Sequence, residues 1–217
     1  MKEYSAIGWQ IFIYCLIFFI FFILQTSIIL AKDELRSLDN YQNLFKKPNI
    51  FRAPYKEVKH LPSLSKALIS EGDIIYMDGS NMMWYMKKPF KMHTVINKHG
   101  LTVWIEGQKQ PQYEGSRKII KPMLENIIAI FAGDFKRLQN DFILSIKLSE
   151  NKYWKLTLTP ISSYIKSYLQ EINIVGKQYI KSVKIVYSKD KYTTFTFEKP
   201  LIGVTHITSE ELEIFEK

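Results

Sequence analysis

Cysteine is all but missing: Cys15 is the only one in 217 residues, and it lies inside an apolar run near the N-terminus. The remainder therefore has no disulfide framework, no thiolate nucleophile and no Cys-ligated metal. Histidine is nearly as scarce. His60, His93, His99 and His206 are scattered, with no HxxxH or HxH pair, so no metal centre is expected. There is no GxSxG elbow and no phosphate loop, and Gly79-Ser80 reads as a turn. Asp73 and Asp134 each follow a glycine, which is ordinary turn and capping chemistry. Without convergent polar groups the expectation is a protein that is not an enzyme and takes no cofactor.

Acidic residues are also in deficit, 21 against 30 Lys and Arg, for a net charge of +9. Lys2 and Glu3 cancel in the leader, so the excess belongs to the rest of the chain. Behind a secretory leader, an anionic membrane surface is the acidic partner to expect, and nucleic acid is not. A composition rich in Lys and Ile accounts for the same charge without any partner. Lys46-Lys47 and Lys87-Lys88 are accordingly solvated faces or headgroup contacts.

What the chain does have is apolar surface. Ile11 to Leu24 (IFIYCLIFFIFFIL) is an uncharged run of 14 residues preceded by Lys2, and Ala31 stands just before Lys32. The run matches the h-region of a signal peptide with cleavage after residue 31. From Ile11 to Ala31 is 21 residues, long enough for an uncleaved anchor. Both alternatives place residues 32–217 beyond the inner membrane, in the periplasm. Ile13 and Tyr14 before Cys15 are too large for a lipobox.

No repeat, low-complexity stretch or Pro/Gly-rich linker divides residues 32–217, which read as one domain. A helix is predicted over Lys32 to Phe45, where Leu35, Leu38, Tyr41, Leu44 and Phe45 fall at helical spacing and Pro48 follows. Gly72 to Phe90 (GDIIYMDGSNMMWYMKKPF) holds two β-type arms around Asp78-Gly79, a strong hairpin signal. Ile74, Tyr76, Met82, Trp84 and Met86 alternate, yet the intervening positions are largely apolar as well. A hairpin apolar on both faces needs a cover on each.

Strands are further predicted at Phe51 to Leu61, Met92 to Ile96, Leu101 to Ile105, Phe142 to Leu148, Lys152 to Pro160, Ile172 to Val175, Ile180 to Tyr187 and Tyr192 to Phe197. Gln108 to Glu114 is a polar strand or a loop. Ser116 to Ala132 is the clear amphipathic helix, with Ile120, Met123, Ile127 and Phe131 as its stripe and Gly133 at its C-cap. One more turn over Asp134 to Leu138 and a short helix over Ser162 to Leu169 complete the reading. The fold class is α+β: a single curved antiparallel sheet of about ten strands, covered by an inserted lid helix and an N-terminal helix.

One face of that sheet would carry Ile74, Tyr76, Met82, Trp84, Met86, Val95, Val103, Trp154, Leu156 and Leu158. With the helix stripe, this is the candidate lipid-binding surface. Met77, Met82, Met83, Met86, Met92 and Met123 lie close in sequence, and thioethers adapt to variable partners. The alternative is an ordinary filled core in a membrane-anchored structural or interaction domain of the envelope.

The motifs LPSLSKALISEGDIIY, MWYMKKPF, AGDFKRL, YWKLTLTP and EINIVG, in this order from Phe51 to Phe197, resemble the LolA family of periplasmic lipoprotein carriers. The likeness is greatest to the LolA-related subgroup found with glycolipid export systems. It implies an open half-barrel that binds acyl chains of a lipoprotein or glycolipid and shuttles them from the inner toward the outer membrane. An inner-membrane transporter as donor and an outer-membrane acceptor are implied with it. Lipoprotein carriers of this type hold the lid with an arginine followed by proline. Asp78 and Gly79 occupy those positions here, so that lock does not carry over.

Overall fold

Alternation of apolar and polar residues at period two dominates the computed structural model, as the sequence led us to expect. The structure describes residues 48–77, 81–97, 100–111, 117–149, 151, 153–203 and 207–216. All belong to one compact unit, Leu44–Lys217. The predicted leader, the helix over Lys32 to Phe45 and the Asp78-Gly79 turn lie outside the described residues.

Six strands come first: β1 (Ile50–His60), β2 (Leu68–Met77), β3 (Asn81–Lys88), β4 (Met92–Asn97), β5 (Gly100–Ile105) and the two-residue β6 (Gln108–Lys109). Helices α1 (Arg117–Ala132) and α2 (Phe135–Leu138) interrupt the sheet. Asp134 caps α2 by accepting a hydrogen bond from the Arg137 N–H. Then follow β7 (Phe142–Leu148), β8 (Trp154–Pro160), a single-turn α3 (Ser163–Lys166), β9 (Glu171–Gly176), β10 (Ile180–Ser188), β11 (Lys191–Phe197), β12 (Leu201–Ile202) and α4 (Ser209–Glu216).

The spatial order is β6-β5-β4-β3-β2-β1-β11-β10-β9-β8-β7, with β12 paired to β1, and every pairing is antiparallel. Two meanders thus meet at the β1–β11 seam. Within the described residues, β6 and β7 are the two outer strands and do not pair with each other, so the sheet is an open half-barrel. Among the described residues its strands number twelve rather than about ten, because β6 and β12 are two-residue edges that carry no periodicity to detect.

Sequence reading missed α4 altogether. It packs Phe215 on Ile75, Met83 and Val95, with Met77, Trp104, Ile207 and Ile214 around them. This is the second cover that the doubly apolar hairpin demanded. Thr208 and Glu211 form a capping box: the Thr208 N–H donates to Glu211 Oε2 at 2.9 Å, and the Glu211 N–H donates to Thr208 Oγ1 at 3.2 Å. That T-x-x-E spacing, followed by Ile214 and Phe215, was the available signal. Arg52 then pins the helix by a bidentate pair to Glu211, both contacts at 2.7 Å.

Candidate functional site

Residues directly opposite one another in an antiparallel ladder project to the same face. Ile74 faces Trp84, which faces Thr94, which faces Val103. The next row is Phe51, Tyr76, Met82, Ile96 and Leu101, and a third is Tyr55, Gly72, Met86, Met92 and Ile105. Across the seam, Phe195 lies on the same face as Val183, Ile174 and Leu156, with Leu158 and Trp154 two residues either way along β8. Hence Ile74, Tyr76, Met82, Trp84, Met86, Val103, Trp154, Leu156 and Leu158 share one face, here called the inner face.

Val95 does not. It pairs with Met83 and Thr102 and is buried against Phe215 on the outer face. Ile96, its neighbour, holds the inner position. In a strand apolar at adjacent positions, the sequence pattern does not say which of the two points inward.

Two glycines allow the inner face its shape. A Cβ on Gly72 would come within 1.9 Å of the Tyr85 carbonyl oxygen, beside the irregularity in the β2–β3 register. One on Gly176 would meet the Trp154 indole at 2.3 Å. The indole therefore lies over Gly176, and its N–H donates to the Lys177 carbonyl at 2.7 Å.

The inner face is not covered uniformly. On its β7–β10 side Leu144, Trp154, Leu156, Leu158, Ile174, Ile180 and Val183 are buried. At the seam Phe131, at the end of α1, seats among Phe51, Phe197 and Tyr76 with ring centroids 5.4, 5.5 and 6.5 Å away. Phe135 and Leu138 of α2 are buried too. The other wing differs. Trp84, Met92, Leu101 and Val103 are half-buried, and Ile105 is 36% exposed.

The helix stripe divides in the same way. Phe131 is 3% exposed, Ile127 is half-buried, and Met123 is 48% exposed. Of Ile120 the structure describes the backbone alone. Leu124, Ala129 and Ile130 are buried on α1 instead, where the stripe reading had not placed them. Sequence periodicity finds an amphipathic helix, but a helix packed on more than one side buries residues outside its main stripe.

Between the two regimes lies an aromatic trio. Tyr55 stands 5.5 Å from Trp84 and 6.3 Å from Phe195, and Trp84 and Phe195 are 5.1 Å apart. Tyr55 is buried, and its hydroxyl oxygen has no hydrogen-bond partner of sound geometry among the described residues. Burial, above all, pushes this phenol up to about 12. At the far end of β1 this face carries an ion pair, Glu57 with Lys59 at 3.7 Å. Among the described residues no group of three His, Cys, Asp or Glu side chains could hold a metal. The arrangement offers adaptable apolar contact rather than acid–base chemistry.

A separate shallow recess of about 210 Å³ is lined by Leu148, Tyr153, Trp154, Val175 and neighbouring Lys147, Ser149 and Lys155. It is smaller than the usual ~300–1,000 Å³ of small-molecule sites.

The family model described as outer membrane lipoprotein carrier protein LolA matches residues 46–205. No curated protein matches the chain. Among solved structures, it is similar to a LolA-superfamily protein from Nitrosomonas europaea at 10% identity, covering 85% of this chain and 97% of that one with a TM-score of 0.45. A putative outer membrane lipoprotein-sorting protein domain from Vibrio parahaemolyticus aligns at 7% identity, over 86% and 100% of the two chains, with a TM-score of 0.44. A DUF1329 family protein from Desulfovibrio piger aligns at 9% identity over 81% and 94%, with a TM-score of 0.45.

Proposed function

The chain belongs to the LolA family, whose model spans most of it, and on that premise we propose that it carries acylated cargo across the periplasm, sheltering acyl chains between the β3–β5 wing and α1. The cargo is a lipoprotein or a glycolipid, taken from an inner-membrane transporter and passed to an outer-membrane acceptor. One observation supports this above the others: the inner face is largely buried on its β7–β10 side, Leu148 at the strand end excepted, but leaves Trp84, Met92, Leu101, Val103 and Ile105 partly uncovered, while Met123 and Ile127 of α1 are also incompletely buried.

Each acyl CH2 removed from water contributes about 0.8 kcal/mol, so a sixteen-carbon chain is worth roughly 12 kcal/mol. A lipid of that kind does not cross an aqueous gap unaided. The carrier must match the burial and still release the chain. Methionine and aromatic side chains suit the first requirement because they conform to different ligands. A helix anchored at its Phe131 end and leaving Met123 48% exposed suits the second, with lid movement as the working step.

The packed β7–β10 side favours a second reading, a membrane-anchored envelope domain with a filled core. Photo-crosslinking separates the two. A photoreactive phenylalanine analogue is placed at Val103 (inner face) or at Thr102 (outer face) in the full chain, expressed in cells. A carrier gives lipid-mass adducts at residue 103 and few at 102. Equal or absent labelling at both positions favours the filled core.

A further inference from the structure

At one end of the sheet, three turns carry apolar side chains into solvent. The β1–β2 connection exposes Leu64 (44%), the start of β2 that it leads into exposes Leu68 (48%) and Ile69 (52%), the β3–β4 turn exposes Phe90 (44%), and Ile105 leads into the β5–β6 turn. These turns are neighbours because their strands are: Glu71 is opposite Lys88, and Met92 is opposite Ile105. Two of them are tied together. The Lys91 N–H donates to Glu106 Oε1 at 2.8 Å, and the Glu106 N–H donates to the Lys91 carbonyl at 2.9 Å.

Lysines surround these tips. Lys59, Lys66, Lys87, Lys88 and Lys91 lie within the same end of the sheet, where Glu57, Glu71 and Asp73 on the strands and Glu106 on a turn are the neighbouring carboxylates. Lys88 pairs with Glu71 at 3.1 Å yet stays 74% exposed, and Lys87 pairs with Asp73. Lys66 and Lys91 are exposed and have no ion pair among the described residues. The outer-face helix α4 is remote from this end. It packs on the Asn97 end of β4, where Asn97 Nδ2 donates to the Phe215 carbonyl at 2.8 Å.

Exposed leucine, isoleucine and phenylalanine at separate loop tips, interleaved with unpaired lysines, have a specific use. A folded protein–protein interface collects apolar groups into a continuous patch. Apolar tips ringed by cations instead enter the boundary between headgroups and acyl chains, while the ammonium groups stay at the phosphates. Charge complementarity selects the surface: anionic phospholipid attracts nearby lysines, and neutral phospholipid does not. We propose that this end of the sheet, tipped by Leu64, Leu68, Ile69 and Phe90 with Lys66 and Lys91 beside them, docks reversibly on anionic phospholipid bilayers. The site adjoins the groove at Ile105 but does not depend on which cargo the groove holds.

The test uses the full chain with Cys15→Ser and a single new cysteine carrying an environment-sensitive fluorophore. The label is placed at Leu64→Cys, at Phe90→Cys or, as control, at Gln178→Cys in the turn between β9 and β10 at the opposite end. Because all three share the same N-terminal segment, attachment through it cannot by itself single out one end. On phosphatidylglycerol vesicles the two tip labels are expected to blue-shift with at least about a twofold rise in emission, and the control to stay unchanged. Phosphatidylcholine vesicles should give no shift, and 0.5 M salt should remove most of it. Lys66→Gln with Lys91→Gln should weaken the vesicle affinity by about fivefold for each lysine removed. An unshifted tip, an equal shift on neutral vesicles, or an equal shift at residue 178 overturns the proposal. So does a shift seen only with native membrane vesicles and abolished by protease treatment of them, which would mean a protein partner.

Discussion

Tyr55 shows how much one atom can say. Its ring is held between Trp84 and Phe195, yet its hydroxyl is buried without a sound partner. A buried hydroxyl left unpaired costs about 1–3 kcal/mol. Tyr55→Phe keeps the ring and deletes only the oxygen, so it should leave thermal stability unchanged or raise it by a few degrees. A fall in the melting temperature by calorimetry would show that the oxygen has a favourable contact. By contrast Phe131→Ala removes the ring that closes the seam against Phe51 and Phe197, and should cost about 3–5 kcal/mol in denaturant unfolding. At this scale the sequence was informative about residue type and much less about direction. Met82 and Trp84 were placed on the inner face by alternation alone, whereas Val95 was placed wrongly, because Val95 and Ile96 are both apolar and both buried.

At the scale of elements, α4 has the most definite energetics. Arg52 on β1 and the capping box at Thr208 both act through Glu211. The Arg52 hydrogen bonds, with smaller help from Thr208, hold this carboxyl below its ordinary 4.5. A carboxyl depressed on folding stabilises the fold above its unfolded pKa, and that contribution is lost as the pH falls through the folded value. The melting temperature should therefore drop as the pH is lowered below about 4.5, by more than in Glu211→Gln. Identical acid profiles for the two proteins would remove Glu211 from the account. The lid helix α1 was legible from its length, stripe and Gly133, and the strands from their alternation. Helix α4 went unread although its T-x-x-E start was there, because eight residues give too few turns for a convincing stripe.

For the whole molecule, the decisive feature is a half-barrel covered on both faces but unevenly. The β1–β11 seam joins the two meanders, and Phe51, Tyr55 and Phe197 are buried along it. Beyond it the β5–β6 wing ends in a two-residue strand with half-exposed neighbours. Native-state hydrogen exchange should be slowest for amides of β1, β2 and β11 and markedly faster in β5 and β6. Uniform protection across all strands would mean that the wing is as firmly packed as the seam, and the groove would lose its physical basis. Among the described residues no helix is long and apolar enough to cross a membrane.

The sequence by itself determined the family, the antiparallel sheet and most of the composition of its inner face, Val95 excepted. All three rest on local facts, namely motif order, side-chain alternation and turn residues, which the backbone converts directly into geometry. Only the tertiary structure decided which apolar residues go uncovered. That depends on where α1, α2 and α4 come to rest, and helices separated from their targets by tens of residues are placed by packing and ion pairs that no local pattern encodes.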